Sequence, residues 1–340
     1  MSTRLRIGVV GAGLGAAPHF KSLQALSDQA DVAWLHVRQP DRLMPSALPA
    51  GAKVTARYED LLEDSSLQAV LILTPPNTHL DLVLSAARAG KHVLLEKPVE
   101  ISLTKAEELV AVCEQHHVQL AVMLQHRLRE SSVALATLIA SGELGELTGA
   151  SCSIRWWRPQ SYYDEPGRGT LARDGGGVLI TQAIHTLDLL LSLTGLPTHV
   201  TALARTSAVH SMECEDTVTA VLSFANGAIG SLDATTAAYP GFPERIALNF
   251  TRGSATLEAG QMQAELVDGR RLSAGTHQAT GTGANVMAFD HPPHQAVIAD
   301  FLQAISSGRS PAVSGRSALQ VHRLIDALTV SAQLDRAVSL

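Results

Sequence analysis

Cysteine is scarce in this chain, with only Cys113, Cys152 and Cys214. Being odd in number, widely spaced and without a C-x-x-C pair, they exclude a disulfide framework and read as buried or incidental thiols of a reducing, cytoplasmic compartment. Excess basic charge is also missing, since 26 Lys and Arg stand against 32 Asp and Glu, a formal net charge of −6. With no basic stripe to neutralise phosphates, nucleic acid is not an expected partner. No run of about 18 uncharged apolar residues marks a membrane span, so a membrane is not expected either. Arg4 and Arg6 before an apolar stretch ending in Ala16-Ala17 sketch the outline of a signal peptide, but the glycine spacing inside that stretch explains it better. There is no G-x-x-x-x-G-K-[ST], no G-x-S-x-G and no H-E-x-x-H, which removes the simplest routes to nucleotide hydrolysis, serine hydrolysis and zinc proteolysis. Among 14 histidines the only close pairs are His116-His117 and His291-Pro292-Pro293-His294; the second opens a helix and reads as packing or a cleft wall, and no metal site is expected.

What is present points to a soluble two-domain protein, because 340 residues make two units at about 100 to 200 residues each. Leu5-Arg6-Ile7-Gly8-Val9-Val10 reads as a short buried strand. It runs into Gly11-Ala12-Gly13-Leu14-Gly15-Ala16 and then a helix through Leu26. That is the G-x-G-x-x-G/A fingerprint in its strand-turn-helix setting. The first glycine permits the tight turn, the second lets a diphosphate approach the backbone, and the small third residue lets helix pack on strand. The phosphates then meet free N–H groups at a helix N-terminus. Strands follow at Val32–Val37, Val54–Tyr58, Ala69–Leu73, His92–Leu95 and Gln119–Leu124, separated by helices at Leu80–Ala89 and Thr104–His116. This alternation implies a doubly wound parallel sheet over residues 1–124.

At the end of the fifth strand stands Glu96-Lys97-Pro98. In an open α/β sheet the carboxyl ends of the strands line the ligand crevice, so an amine placed there faces cofactor or substrate.

The second half, residues 125–340, has a different grammar. A helix over Ser131–Ser141 leads to alternating segments joined by hairpin signals at Asn226-Gly227, Arg252-Gly253 and Asp268-Gly269, where glycine supplies the positive φ of tight turns. A large, mostly antiparallel open sheet is expected, with a helix over Val178–Leu193 laid against it and two C-terminal helices, Gln295–Ser306 and Ala318–Gln333. Glu213-Cys214-Glu215-Asp216 reads as a solvated loop before a strand.

Together these features resemble the Gfo/Idh/MocA family of NAD(P)-dependent oxidoreductases over nearly the whole chain. The resemblance rests on the glycine turn, Thr74-Pro75-Pro76-Asn77-Thr78-His79, Glu96-Lys97-Pro98, the stretch Asp174-Gly175-Gly176-Gly177 through His185 and Asp188, and the ending Asp300-Phe301-Leu302 to Pro311-Ala312-Val313-Ser314-Gly315. It implies hydride transfer at a carbinol or carbonyl carbon of a sugar, sugar derivative or cyclitol. It also implies a homodimer or homotetramer built through the open sheet of the second domain.

Oxidising a secondary alcohol with a nicotinamide needs a proton acceptor titrating near neutrality and a cation for the developing alkoxide, tasks that suit histidine and lysine. His185 and Lys97 are therefore the expected proton-transfer and oxygen-binding residues. Thr181, one α-helical turn before His185, stands where the family often has Asp or Asn; its hydroxyl can orient substrate but cannot act as a carboxylate.

Expected cofactor contacts are Gly11, Gly13, Leu14, Gly15, Ala16, Thr74, Pro75, Asn77, His79, Glu96 and Lys97. The second strand ends in His36-Val37-Arg38-Gln39 with no carboxylate before Asp41, so Arg38 is expected to pair with a 2′-phosphate, favouring NADP over NAD. Expected substrate contacts are Arg127, Arg158, Tyr163 and His185; Trp156 and Trp157, on opposite faces of a strand, divide between core or interface and cleft. The competing readings are a non-sugar reductase or dehydrogenase on the same architecture, and a cofactor-binding sensor without turnover.

Overall fold

The computed structural model describes residues 4–42, 51–277 and 291–340, and the chain forms two compact units. The first is built on six parallel strands: β1 (Leu5–Val10), β2 (Ala30–His36), β3 (Lys53–Thr55), β4 (Ala69–Ile72), β5 (His92–Leu95) and β6 (Leu120–Val122). Their spatial order is β3-β2-β1-β4-β5-β6, the doubly wound order whose direction reverses between β1 and β4 and so opens a crevice at their carboxyl ends. Helices α1 (Ala17–Ala25), α2 (Glu59–Glu63), α3 (His79–Arg88) and α4 (Leu103–Gln115) make the crossovers. Ile7, Leu35, Leu71, Ile72, Leu94 and Leu95 are fully buried. At about 1.5 to 3 kcal/mol each, these continuous apolar runs, covered on both faces, hold the sheet.

The second unit centres on a nine-stranded sheet in the order β14-β13-β12-β11-β7-β10-β9-β8-β15. Its strands are β7 (Leu147–Arg155), β8 (His199–Arg205), β9 (Thr217–Ser223), β10 (Ile229–Thr235), β11 (Arg245–Phe250), β12 (Gly253–Glu258), β13 (Gln261–Leu266), β14 (Arg271–Ala274) and β15 (Val338–Ser339). All neighbours are antiparallel except β7 and β10. Alternation sorts the residues. Val218, Ala220 and Leu222 of β9 point inward, while Thr219 and Val221 point out. The inner face packs on α5 (Glu130–Ala140) and on α8 (Ile184–Thr194). Two short helices, α6 (Gln160–Tyr163) and α7 (Leu171–Asp174), lie on the path from β7 to α8. The helical run Leu171–Thr194 is long and apolar enough to cross a membrane, but 83% of its most apolar window is buried inside this unit, where it serves as the core helix.

The chain then returns. Residues 291–319, which the sequence assigns to the second domain, cluster with the first unit, whose N-terminal share ends at Gln125. α9 (Pro292–Ser307) packs on α1, and Ala121 bridges to Ser314 just ahead of α10 (Gly315–Leu334). No local pattern announces this, because an amphipathic helix states that it has a buried face without stating against what.

Candidate functional site

In the first unit the site is built from strand ends. β1 passes into Gly11, whose φ is +99° and whose N–H donates to the His36 carbonyl at 2.9 Å. A Cβ on Gly11 would stand 3.1 Å from the Leu73 backbone, so both the torsion and the neighbouring strand require glycine. Gly13 precedes a short 3-10 turn, Leu14–Ala16, that feeds α1; neither helix start carries a side-chain cap. A Cβ on Gly13 or Gly15 would meet nothing within 4 Å, whereas Ala16 is buried. Helix starts without a side-chain cap, beside bare glycine backbone, suit a diphosphate. The residues present therefore fit a dinucleotide. Beyond β2, Arg38 is exposed and, among the described residues, in no ion pair.

Lys97 lies in a turn held from two sides. The Glu96 N–H donates to Ile72 across the sheet at 2.9 Å, and the Lys97 N–H donates to the Glu96 carboxylate at 2.9 Å. Lys97-Pro98 is a cis peptide. His79, fully buried, sets one ring nitrogen 2.9 Å from the Thr74 carbonyl and the other 3.0 Å from that of Pro98. Its ring thus ties the loop after β4 to the loop after β5. His79 is not free to touch a cofactor, which corrects the expectation: the imidazole is spent on backbone, and burial lowers its pKa despite those carbonyls. Thr74, Pro75 and Asn77 remain at the strand-end loop, Pro75 and Asn77 exposed. Glu96 accepts from or shares a proton with His19 Nε2 at 2.7 Å. Burial opposes its ionisation, but the His19 hydrogen bond and the charges of His19, Lys97 and His294 outweigh this and hold it at about 2.

In the second unit the run before α8 is a π-helix over Leu179–Ala183. A π turn widens the helix and spaces its hydrogen bonds five residues apart, a distortion just ahead of His185 that the sequence does not announce. Thr181 Oγ1 donates to the Gly177 carbonyl at 2.5 Å and also meets Gln182 Oε1. His185, half-buried, lies 5.1 Å from the ring of His126, tilted by 30°. His126 Nε2 accepts from Arg129, which pairs with Glu244 at 2.7 Å. The Arg127 guanidinium engages the buried Asp188 through both Nε, at 2.6 Å, and Nη2, which fixes its place after the last parallel strand. Burial raises the Asp188 pKa against the pull of Arg127.

The aromatic patch after β7 is also more structural than expected. Tyr163 is buried, and its hydroxyl is 2.7 Å from Thr236 Oγ1, so it builds a wall. Arg158 is only 5% exposed, lies 5.2 Å from the Trp156 ring and donates to the Trp157 carbonyl at 2.8 Å. That leaves its guanidinium little surface for a substrate. Trp156 is core, while Trp157 stacks edge-on with the exposed Tyr239 at 5.4 Å.

Two family models match the chain: "Oxidoreductase family, NAD-binding Rossmann fold" over residues 5–124 and "GFO/IDH/MocA C-terminal domain" over residues 133–256. The chain belongs to the Gfo/Idh/MocA family. It is an NAD-binding oxidoreductase of that family. Among its Gfo/Idh/MocA relatives, a myo-inositol 2-dehydrogenase of Thermotoga maritima is 26% identical, covering 99% of this chain and 98% of the relative. An inositol 2-dehydrogenase of Rhizobium meliloti is 25% identical, with 99% of each covered. The structure of the WlbA dehydrogenase from Bordetella pertussis, in complex with NADH and UDP-GlcNAcA, superposes with a TM-score of 0.84 at 26% identity over 99% of both chains.

Within this Gfo/Idh/MocA chain, sequence reasoning missed His19, His126, His210 and Glu215. The stretch Glu213–Asp216 is not a solvated loop: Asp216 is buried, and the Glu215 carboxylate accepts from Gly177 N–H at 3.1 Å and Leu179 N–H at 3.2 Å. Burial raises the Glu215 pKa against those bonds. His210 bridges Asp216, at 2.7 Å, and the Arg158 carbonyl, at 2.8 Å. The His126 signal was present, since it adjoins Arg127 after the last parallel strand. The Glu215 contact had none, because 38 residues separate it from Gly177.

Proposed function

We propose that this protein is an NAD(P)-dependent dehydrogenase acting on a CH–OH group of a cyclitol, sugar or sugar derivative, with NADP favoured. The turn at Lys97 carries the proposal: a lysine anchored through Glu96 and His79 at the carboxyl edge of β5, beside a dinucleotide-type glycine turn. A nicotinamide bound to this unit would supply the hydride acceptor or donor. The chain's own groups do the rest. N–H groups between Gly11 and Ala16, whose own N–H groups donate to His36 and Gly13, bind the diphosphate, and the Arg38 guanidinium meets a 2′-phosphate. The Lys97 ammonium stabilises oxygen as it gains negative charge, and the His185 imidazole accepts the hydroxyl proton. The inositol dehydrogenases and the UDP-GlcNAcA complex among the relatives support the substrate class.

A second reading, a cofactor-binding protein without turnover, is favoured by Thr181, whose hydroxyl is held by Gly177 where family members often carry a carboxylate. Purified protein is assayed by nicotinamide absorbance with both cofactors against inositols, aldoses, sugar acids, sugar nucleotides, biliverdin-like pigments and cyclic dihydrodiols. Turnover on a polyol supports the enzyme reading; cofactor fluorescence without turnover on any of them favours the second, and turnover confined to pigments or cyclic dihydrodiols favours a non-sugar enzyme. We further infer a homodimer or homotetramer. Leu203, Val221 and Ile229 share the outer face of the large sheet and are 55%, 52% and 64% exposed.

A further inference from the structure

Three side chains that ligate transition metals converge in the first unit. His19 comes from α1, Glu96 from the end of β5 and His294 from the first turn of α9, and their ligand atoms lie within 4.8 Å of one another. The three come from distant parts of the chain, and α1 and α9 pack together, with Ser22 Oγ donating to the His291 carbonyl at 3.3 Å. His19 and His294 are buried and Glu96 is 20% exposed. The two imidazoles meet at 78° with centroids 5.3 Å apart. That edge-on arrangement lets ring nitrogens converge on one point, which stacked rings would not.

Two imidazoles and a carboxylate form a borderline donor set, suited to Zn²⁺, Co²⁺ or Fe²⁺ rather than to the all-oxygen preference of Mg²⁺ or Ca²⁺. We propose that His19, Glu96 and His294 form an exchangeable site for a borderline transition-metal dication. The His19 Nε2 and Glu96 Oε1 atoms, 2.7 Å apart, would separate to roughly 3.4 Å around a tetrahedral ion with bonds near 2.1 Å. Glu96 keeps its second oxygen on the Lys97 N–H, so the ion stands one carboxylate away from Lys97. The second shell is incomplete: the buried Nδ1 of His19 has no hydrogen-bond partner among the described residues. Outer-shell partners are worth about 10- to 100-fold in affinity, so the site is an exchangeable one and not a structural zinc.

The test uses the full chain after chelator treatment, titrated with ZnCl₂ against a chromophoric indicator and, separately, with CoCl₂ followed by visible absorption. One equivalent of Zn²⁺ is expected, bound saturably. His294→Gln should weaken it at least about tenfold while melting temperature and NADH fluorescence enhancement stay at wild-type values, and His291→Gln should leave it unchanged. Cobalt should give nitrogen/oxygen-type d–d bands without thiolate charge transfer. Because the cobalt spectrum is read on the wild type, it decides even if His294→Gln fails to fold. No saturable equivalent, equal binding by His294→Gln, or a thiolate spectrum would overturn the site.

Discussion

Asp216 accepts from the Ser207 N–H, at 2.8 Å, and from the hydroxyls of Ser207 and Thr217, and pairs with His210, inside a unit where it has no exposed surface. Burial opposes its charge, but these bonds win and lower its pKa. A carboxylate lowered on folding stabilises the fold above the ordinary carboxylate range and loses that contribution as pH falls through and below it. Asp216→Asn is thus expected to cost about 1 to 3 kcal/mol in urea unfolding at about pH 7, with the gap to wild type narrowing as the pH is lowered. A constant gap across pH would show that packing, not ionisation, is at stake. Arg38 poses the opposite case, an exposed guanidinium with no ion pair among the described residues. Arg38→Ala should reduce NADP affinity about tenfold or more and leave NAD affinity within about twofold, as loss of a charge-assisted phosphate contact requires. Equal weakening of both in fluorescence titrations would remove the 2′-phosphate role.

The glycine run 175–177 illustrates what an element needs and what a sequence discloses about it. Gly175 takes φ +79° to end α7, and a Cβ on Gly177 would lie 1.8 Å from the Glu215 carbonyl oxygen. Gly177→Ala therefore has to displace either the Glu215 backbone ahead of β9 or the start of the π-helix that precedes His185. A melting-temperature loss is expected, about 1 to 3 kcal/mol in stability terms, together with a lower kcat. A variant with wild-type stability and kcat would mean that this approach does not position α8. The Gly11–Ala16 turn was legible because its chemistry is local: a torsion, a close backbone and a helix start fall within six residues. Glu96-Lys97-Pro98 was legible for the same reason, as an apolar strand followed by charge. The π-helix was not, because Leu179–Ala183 sits in a run that is buried nearly all round and so has no phase to read. The partners of Arg127 and Tyr163 were not legible, because a polar side chain's identity does not name what it will bond to, here Asp188 and Thr236.

At the scale of the molecule, the residues proposed for the reaction fall in different units of the chain, the glycine turn, Arg38 and Lys97 in one and Thr181 and His185 in the other. The division of the chain was only partly legible, since α9 carries the second half back to the first unit through packing on α1. The outer face of the large sheet bears directly on assembly. Val221→Glu, which puts a charge amid exposed Leu203 and Ile229, should convert an oligomer to monomer by light scattering; an unchanged mass would place any interface elsewhere. The central claim is that Lys97 serves hydride transfer to or from a polyol carbon. Its most direct test is nicotinamide absorbance for wild type and Lys97→Ala on the best polyol of the panel, with cofactor affinity measured alongside. Wild type should turn over, and Lys97→Ala should lose about 10²-fold or more in kcat while still binding cofactor. Equal turnover by the two proteins would contradict the account.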